Sequence, residues 1–266
     1  MGGHARGFIE VVDGIEVVQP RKKTRRTRQG GKPEATVSAT KFKEEREHVQ
    51  KLSPLKPLNE KQAEYIRLLN EKDMVIATGL PGTSKTFIPT MMACDLFRLG
   101  KIDRIIFSRP NISNSKSLGM FKGSAEEKMT MWLAPVISIL NERIGAAALE
   151  IALKHGQIVF LPLETIKGFS AENCWFIVDE AEDISKDEAK KLVTRQGKNC
   201  KLILAGDVGQ SELSEQSGLK HLTSMVQKHP HLDVGFVDFD NINDIVRSKQ
   251  CKDWIIAYRK EEKGEV

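Results

Sequence analysis

The chain has 266 residues, of which 40% are hydrophobic, and its formal net charge is +5. No apolar run approaches the roughly 20 residues that a membrane-spanning helix needs, and acidic residues interrupt the N-terminal stretch where a signal peptide would lie. We therefore expect a cytoplasmic protein that does not enter a membrane. Its four cysteines are far apart and form no C-x-x-C pair, so we expect reduced cysteines, mostly in the core, rather than a zinc site.

The basic charge is concentrated near the N-terminus. Residues 1–50 carry 11 Lys/Arg against 7 Asp/Glu, a net +4, whereas the rest of the chain carries 30 against 29, a net +1. Most of the excess lies in the run RKKTRRTRQGGK, residues 21–32. This run has two interpretations, a contact with a polyanion such as nucleic acid or a solvated tail.

Two short apolar runs flank Asp13-Gly14. Asp-Gly is a strong signal for the tight turn of a β-hairpin, so residues 8–18 are predicted to form two strands. Residues 19–50 are rich in Pro, Gly, Lys and Glu without periodicity, which indicates a flexible arm. We therefore divide the chain into an N-terminal hairpin with a short basic arm, residues 1–54, and a folded domain, residues 55–266.

From Asn59 onwards, apolar strands alternate with helical patterns. The predicted strands are Met74–Gly79, Arg104–Ser108, Gln157–Pro162, Cys174–Asp179, Lys201–Gly206 and Asp233–Phe239. The predicted helices are Glu60–Glu71, Thr86–Leu99, about Lys186–Arg195 and Ser248–Glu262, with another in a segment that Pro135 should break or kink. This alternation is typical of an α/β fold with a mostly parallel sheet and helices on both faces. Ligands of such folds bind at the carboxyl ends of the strands.

The segment GLPGTSKT follows the first of these strands and precedes a helix. Its context and spacing are typical of a loop whose backbone N–H groups hold nucleotide phosphates at the positive end of the helix. Lys85 is expected to reach the β- and γ-phosphates, and the Thr86 hydroxyl to bind Mg²⁺. We predict a site for ATP and Mg²⁺. Its nucleotide-binding loop residues are Gly79, Leu80, Pro81, Gly82, Thr83, Ser84, Lys85 and Thr86.

The loop departs from the usual pattern at Ser84, where glycine is expected. Serine is small, is favoured at the start of helices and keeps its N–H donor. We therefore expect nucleotide binding to be retained, with some weakening.

Two further strands end in polar residues suited to phosphate chemistry. Asp179 and Glu180 follow one apolar strand, and Gln210 lies just after another. Asp179 is expected to bind hydrated Mg²⁺, and Glu180 to orient and deprotonate the attacking water. Gln210 is expected to sense the γ-phosphate or to position the water. Each feature alone is common at strand ends, but together with the phosphate loop they predict ATP hydrolysis.

These three motifs, in this order, resemble those of the PhoH-like family of P-loop ATPases, which is similar to the first motor domain of superfamily 1 helicases. Other segments also fit, among them LNEKQAEYI, where the resemblance implies that Gln62 contacts adenine, RIIFSRP, and DIVRSK, which contains Arg247. The resemblance covers about residues 55–260. It implies a RecA-like P-loop NTPase fold, ATPase activity and, in some relatives, helicase or RNA-related roles.

A superfamily 1 motor holds ATP between two such domains, whereas this chain has one. The resemblance therefore implies that an arginine from a neighbouring subunit acts on the γ-phosphate, a contribution worth about 10³–10⁵ in rate. We predict a homo-oligomeric ring such as a hexamer. The candidate arginines are Arg109, Arg195 and Arg247, with Arg247 as the first choice.

The helicase-like motifs and the basic arm favour a helicase or translocase that acts on RNA or single-stranded DNA. Five residues on loops after strands are candidates to line a channel for that strand. They are Lys116, Lys122, Lys128, Lys167 and Phe169. The three tryptophans, Trp132, Trp175 and Trp254, are expected to pack in the core.

Two alternatives remain open. The near-neutral charge of residues 51–266 favours an ATP-dependent switch or scaffold that remodels a protein partner without nucleic acid. A small-molecule kinase has less support, because Glu180 suits water activation and no arginine-rich lid segment follows. The chain also departs from the family pattern at Glu182-Asp183, where Gln-Asn is more frequent. We expect these residues to add negative charge beside Mg²⁺.

Overall fold

The computed structural model describes residues 8–12, 15–19, 53–110, 134–166 and 171–264. The chain divides into two compact units, residues 1–41 and 42–266. In the first, β1 (Phe8–Val12) pairs antiparallel with β2 (Ile15–Gln19), the two segments in which strands are predicted. The predicted flexible arm falls almost entirely on residues 20–52, outside the described part, and stays a prediction.

The larger unit alternates strands and helices. Its strands are β3 (Met74–Gly79), β4 (Arg104–Arg109), β5 (Ile158–Pro162), β6 (Cys174–Val178), β7 (Cys200–Ala205) and β8 (Val234–Phe239). The helices of its described part are α1 (Glu60–Glu71), α2 (Phe87–Arg98), α3 (Ala134–Ile144), α4 (Ala146–Lys154), α5 (Lys186–Val193), α6 (Gly218–Lys228) and α7 (Lys249–Lys263).

The six strands form one sheet in the order β5-β4-β6-β7-β3-β8, and every neighbouring pair is parallel. The central strands are almost uninterrupted Val, Ile, Leu and Phe because helices bury both of their faces. Helices α1 to α4 contribute to the core on one face, and α5 and α6 to the core on the other. The predicted α/β fold is therefore confirmed. All six carboxyl ends meet at one edge, where β3 leads into the phosphate loop.

Two helices are not predicted from the sequence. Helix α4 follows α3 after the single residue Gly145, so their apolar patterns merge. Helix α6 buries only Gly218, Leu219 and Leu222, which leaves too short an apolar stripe to predict a helix. Pro135 lies in the first turn of α3, a position where proline is tolerated.

The prediction that all three tryptophans pack in the core is wrong for Trp254. Trp175 is 4% exposed on β6, as expected, whereas Trp254 on α7 is 60% exposed. The reason is that α7 lies against the domain without any fully buried side chain in its described part. Trp132 lies outside the described residues.

Three of the four free cysteines are buried, as predicted, and Cys251 is exposed on α7. Within the described ranges, no helix has the length and apolar character needed to cross a membrane.

Candidate functional site

The segment Gly79–Thr86 forms the loop between β3 and α2. Three of its residues have positive φ angles, namely Gly79 at 112°, Gly82 at 77° and Ser84 at 73°. A Cβ atom added at Gly79 would lie 2.4 Å from the carbonyl oxygen of Phe239, so only glycine fits there. Where right-handed and left-handed backbone conformations alternate, successive N–H groups form a concave surface that binds anions. The loop therefore has the form expected of a phosphate cradle.

Helix α1 holds the loop through two buried side chains. Gln62 Nε2 donates to the Thr83 carbonyl (3.4 Å), and the Tyr65 hydroxyl donates to the Lys85 carbonyl (2.9 Å). Gln62 Oε1 accepts from the Leu58 N–H at 2.9 Å, so both ends of its amide contact backbone. The adenine contact that the resemblance implies for Gln62 stays a prediction.

The C-terminal part of the domain also contacts the loop. The Leu80 N–H donates to the Phe239 carbonyl at the end of β8, and the Val246 N–H donates to the Gly82 carbonyl, each at 2.9 Å. Arg247 packs on Gly82, since a Cβ atom added there would lie 2.6 Å from Arg247 Cγ. The structure thus places Arg247, expected to serve a neighbouring subunit, beside the loop of its own chain.

Lys85 folds back along the loop. Its ammonium group donates to the carbonyls of Gly79 (2.6 Å) and Leu80 (2.8 Å). Burial lowers the pKa of Lys85, while the nearby carboxylates, Asp207 foremost, oppose that shift. The protein therefore holds a desolvated cation at the loop, where an anionic phosphate would stabilise it.

The two residues predicted to bind Mg²⁺ are in direct contact. The Thr86 hydroxyl donates to Asp179 Oδ1 at 2.5 Å, which joins the start of α2 to the end of β6. Burial raises the pKa of Asp179. A hydroxyl and a carboxylate oxygen suit Mg²⁺, which proteins usually hold through one or two groups together with water and substrate phosphates. The side chains present therefore fit the ion that a P-loop nucleotide brings.

Glu180 follows Asp179 in a left-handed conformation, with φ 50° and ψ 43°. Such a backbone is uncommon outside glycine and is often found at functional sites. Arg109 at the end of β4 donates from Nη2 to Glu180 Oε1 at 3.1 Å, and its Nη1 lies 4.0 Å from Asp179 Oδ2. The Glu180 side chain is 40% exposed, so a water molecule can reach it. Arg109 therefore orients the carboxylates of its own site.

Gln210 lies in the turn after β7. Its Nε2 donates to Asp207 Oδ2, and the Gly209 N–H donates to Asp207 Oδ1, both at 3.0 Å. Burial raises the pKa of Asp207. Gln210 lines the same cavity as Leu80 and Pro81 of the phosphate loop. The structure therefore brings the predicted sensing residue to the loop.

Glu182 links the carboxylate pair to this turn, a role that we did not predict. It is 2% exposed, and its Oε2 accepts from the Asp207 N–H at 3.0 Å. Its backbone carbonyl accepts from the hydroxyls of Ser211 (2.9 Å) and Ser217 (2.8 Å). A Cβ atom at Gly206 would lie 2.8 Å from the Glu182 backbone nitrogen and 2.3 Å from its Oε2, so glycine is required opposite it. Glu182 therefore joins the ends of β6 and β7.

Glu182 is predicted to add a negative charge beside Mg²⁺, and its surroundings oppose that charge. Burial, reinforced by the neighbouring Glu180 carboxylate, raises the pKa of Glu182 to about 9, which favours the uncharged form of the side chain. Asp183 Oδ1 instead accepts from the Glu212 N–H at 3.0 Å, in an exposed turn. The available signal in the sequence was the crowding of acids directly after a buried strand, where they cannot all remain ionised.

Of the remaining predicted residues, only Arg195 lies in the described part of the chain, and it is away from this cluster. The proposed channel residues all fall on 111–133 or 167–170, outside the part of the chain that the structure describes. Arg195 is exposed and follows α5 just before β7 begins, at the amino-terminal edge of the sheet.

The sequence matches the family described as PhoH-like protein over residues 54–259. This chain belongs to the PhoH-like family. Protein PhoH of Escherichia coli (strain K12) is 31% identical over 210 residues, which are 77% of this chain and 58% of that protein. A PhoH-like protein of Bacillus subtilis (strain 168) is 30% identical over 202 residues, 75% and 62% of the respective chains. The chain thus spans about three fifths of the length of these relatives.

A solved structure similar to the PhoH-like chain is the large terminase of a thermophilic bacteriophage. Its TM-score is 0.45 at 12% identity, over 75% of this chain and 50% of the terminase.

The Ser84→Gly variant of the PhoH-like chain should be more stable than wild type. A left-handed conformation costs an L-residue about 1–2 kcal/mol, and glycine avoids this cost. Glycine, however, has more freedom in the unfolded chain, which lowers the stability of the folded protein by about 0.5–1 kcal/mol. We expect a net gain of about 0.5–1 kcal/mol in the free energy of unfolding, measured by urea denaturation. The control is Ser84→Ala, which keeps the Cβ atom and the strain. A Ser84→Gly protein no more stable than Ser84→Ala would contradict the account.

The Glu182→Gln variant should remove a pH dependence of folding. Folded Glu182 keeps its proton up to about pH 9, whereas an ordinary glutamate loses it near 4.5. Its contribution to the free energy of unfolding therefore falls as the pH rises through that window. Glutamine can still accept from the Asp207 N–H and does not ionise. We expect the difference in the free energy of unfolding between Glu182→Gln and wild type to shift in favour of the variant between about pH 5 and about pH 9. Urea denaturation without nucleotide measures this difference.

The matched control for this measurement is Glu172→Gln, because Glu172 is exposed. Its stability curve should run parallel to that of wild type over the whole range. A Glu182→Gln curve that also ran parallel to wild type would show that Glu182 is not protonated in the folded state.

Proposed function

We propose that this PhoH-like chain binds and hydrolyses ATP with Mg²⁺ and acts, as a homo-oligomeric ring such as a hexamer, on RNA or single-stranded DNA as a helicase or translocase. The observation that carries the ATPase proposal is the 2.5 Å contact between Thr86 of the phosphate loop and Asp179 of the carboxylate pair. Two motifs more than ninety residues apart in the chain meet there, as a phosphate-transfer site requires.

Each side chain then has a role in hydrolysis. The backbone N–H groups of the loop and the Lys85 ammonium bind the phosphates. Thr86 and Asp179 would hold Mg²⁺, which would neutralise charge on the phosphate oxygens. Glu180 is oriented by Arg109 and accepts a proton from the attacking water. Gln210, tethered to Asp207, positions that water or contacts the γ-phosphate.

The arrangement of the arginines changes which of them can act between subunits. Arg247 packs on Gly82 of its own loop, so we propose that it contacts the phosphates of its own chain. Arg195 is exposed at the opposite edge of the sheet. A closed ring has a heterologous interface, which can bring one edge of a subunit to the site of the next. Arg195 is therefore our candidate for the arginine supplied by a neighbouring subunit.

Two features support nucleic acid as the substrate. The motifs resemble those of the PhoH-like family, which is similar to the first motor domain of superfamily 1 helicases, and residues 21–32 are strongly basic. Phosphate contacts by such runs supply most of the sequence-independent affinity for nucleic acid. The near-neutral charge of residues 51–266 favours a second proposal, an ATP-dependent switch or scaffold that remodels a protein partner without nucleic acid.

The Glu180→Gln variant should hydrolyse ATP about 10²–10⁴-fold more slowly than wild type, because it lacks the general base. It should still bind Mg·ATP and assemble, since glutamine keeps an acceptor for Arg109. Phosphate release measures the first effect, and light scattering with and without Mg·ATP measures the second. Glu172→Gln is the matched control and should behave as wild type.

Either of two results would contradict the proposal. Unchanged phosphate release in Glu180→Gln would remove Glu180 from the reaction. A monomer under all conditions, for both proteins, would leave no neighbouring subunit to complete the site and would exclude the ring.

A further inference from the structure

A cavity of about 850 Å³ opens at the carboxyl ends of β7, β3 and β8. Its walls include Leu80 and Pro81 of the phosphate loop, the Gln210 turn and one side of α7. Pockets for small organic groups have volumes of about 300–1,000 Å³. The cavity is therefore large enough for a nucleotide-sized group and directly adjoins the candidate ATP site.

Two exposed aromatic side chains on α7 line this cavity. Trp254 and Tyr258 are 60% and 61% exposed, and their ring centroids lie 6.0 Å apart with an interplanar angle of 34°. Neither ring contributes to the two hydrophobic cores. Proteins that bind single-stranded nucleic acid commonly stack its bases on exposed aromatic side chains. The pair therefore provides a stacking surface that folding alone does not require.

The polar lining of the cavity is rich in hydrogen-bond acceptors. Asp207, Asp238 and Asp240 all line it. Asp238 Oδ1 accepts from the Thr78 hydroxyl at 2.8 Å, which leaves further lone pairs on the carboxylate. Carboxylates repel phosphate but accept from the exocyclic amino group of a base, as in contacts to cytosine N4. This acidic part of the lining thus suits a base rather than the sugar–phosphate backbone.

One cationic side chain also lines the cavity and could contact a phosphate. Arg259 lines the cavity and donates from Nη1 to the Asp240 carbonyl at 2.8 Å. A guanidinium has five N–H donors, so others remain for an anion. An alternative ligand is a single cationic side chain, which could pair with the aspartates. It would fill little of the cavity volume of about 850 Å³, and a cation–π contact needs only one of the two aromatic rings. A stacked base with its phosphate near Arg259 uses the whole arrangement.

We propose that this cavity binds an unpaired base of single-stranded nucleic acid, stacked on Trp254 and Tyr258, with its amino group toward the aspartates. The inference rests on the proposed function and names the place where the strand is held. Gln210 and Leu80 belong to both the cavity wall and the ATP site. A base bound in this cavity would therefore share its walls with residues of the proposed ATP site, which would link strand binding to hydrolysis.

The test measures binding of labelled oligonucleotides of about 12 nucleotides by fluorescence anisotropy at fixed low salt. Oligo(C) is compared with oligo(U), and oligo(dC) with oligo(dT). These two comparisons separate a preference for one base from a preference for RNA or DNA. Wild type should prefer the cytosine strands about fivefold or more, and Asp238→Asn should reduce this preference. The strands should also quench the tryptophan fluorescence of wild type.

Trp254→Ala and Tyr258→Ala should each weaken binding of oligo(C) about tenfold or more, because each loses a stacking partner. Trp254→Phe keeps an aromatic ring and should stay within about threefold of wild type. The control is Leu99→Ala, since Leu99 is 69% exposed and lies after the far end of α2. Trp254→Ala and Tyr258→Ala should both unfold at the urea concentration at which wild type unfolds, which separates a loss of binding from a loss of folding.

The failures are distinguishable. If wild type binds no oligonucleotide, the nucleic-acid function itself falls, together with this inference. If wild type binds and the ring variants bind equally well, only the assignment of the cavity is overturned. If Trp254→Ala and Tyr258→Ala lose self-association but keep their affinity for oligonucleotides, α7 belongs to a subunit interface. That result would also overturn the assignment of the cavity.

Discussion

The candidate site depends on a backbone conformation that most residues avoid. Three residues of the phosphate loop have positive φ angles, and one of them is Ser84, for which this region carries a steric cost. The loop is held there by hydrogen bonds from separate parts of the fold, among them the Tyr65 hydroxyl of α1 and the Val246 N–H near the C-terminus. Because folding has already ordered the loop, binding does not have to. The fold of the whole domain thus sets the shape of eight residues.

That packing also concentrates charge at one edge of the sheet. Burial disfavours the charged forms of Lys85 and Asp179, and each is stabilised by groups brought from other strands. The raised pKa of Glu182 favours its uncharged form, which accepts from the Asp207 N–H and adds less repulsion for a triphosphate than a carboxylate would. Arg109 offsets the carboxylates that remain. The site therefore combines acidic groups for Mg²⁺ with a limited net negative charge.

Much of this arrangement follows from the sequence, and the rest depends on packing. The strands are predictable because each is an apolar run, and Thr86, Asp179 and Gln210 meet because parallel strands place their carboxyl ends together. Tyr65 and Glu182 were missed because their importance lies in contacts with backbone distant in the chain, which no local pattern reveals. Trp254 was misassigned because burial of an aromatic residue depends on whether another element covers its helix.

The most direct test of this account is calorimetric titration of the nucleotide-free protein with Mg·ATP. The central claim is that the loop, with Ser84 in place of glycine, is a working phosphate site already formed by the fold. We expect wild type to bind Mg·ATP at a single site per chain, and Lys85→Ala to lose that binding while remaining folded. No binding by wild type, or equal binding by Lys85→Ala, would contradict the claim that this loop holds the nucleotide.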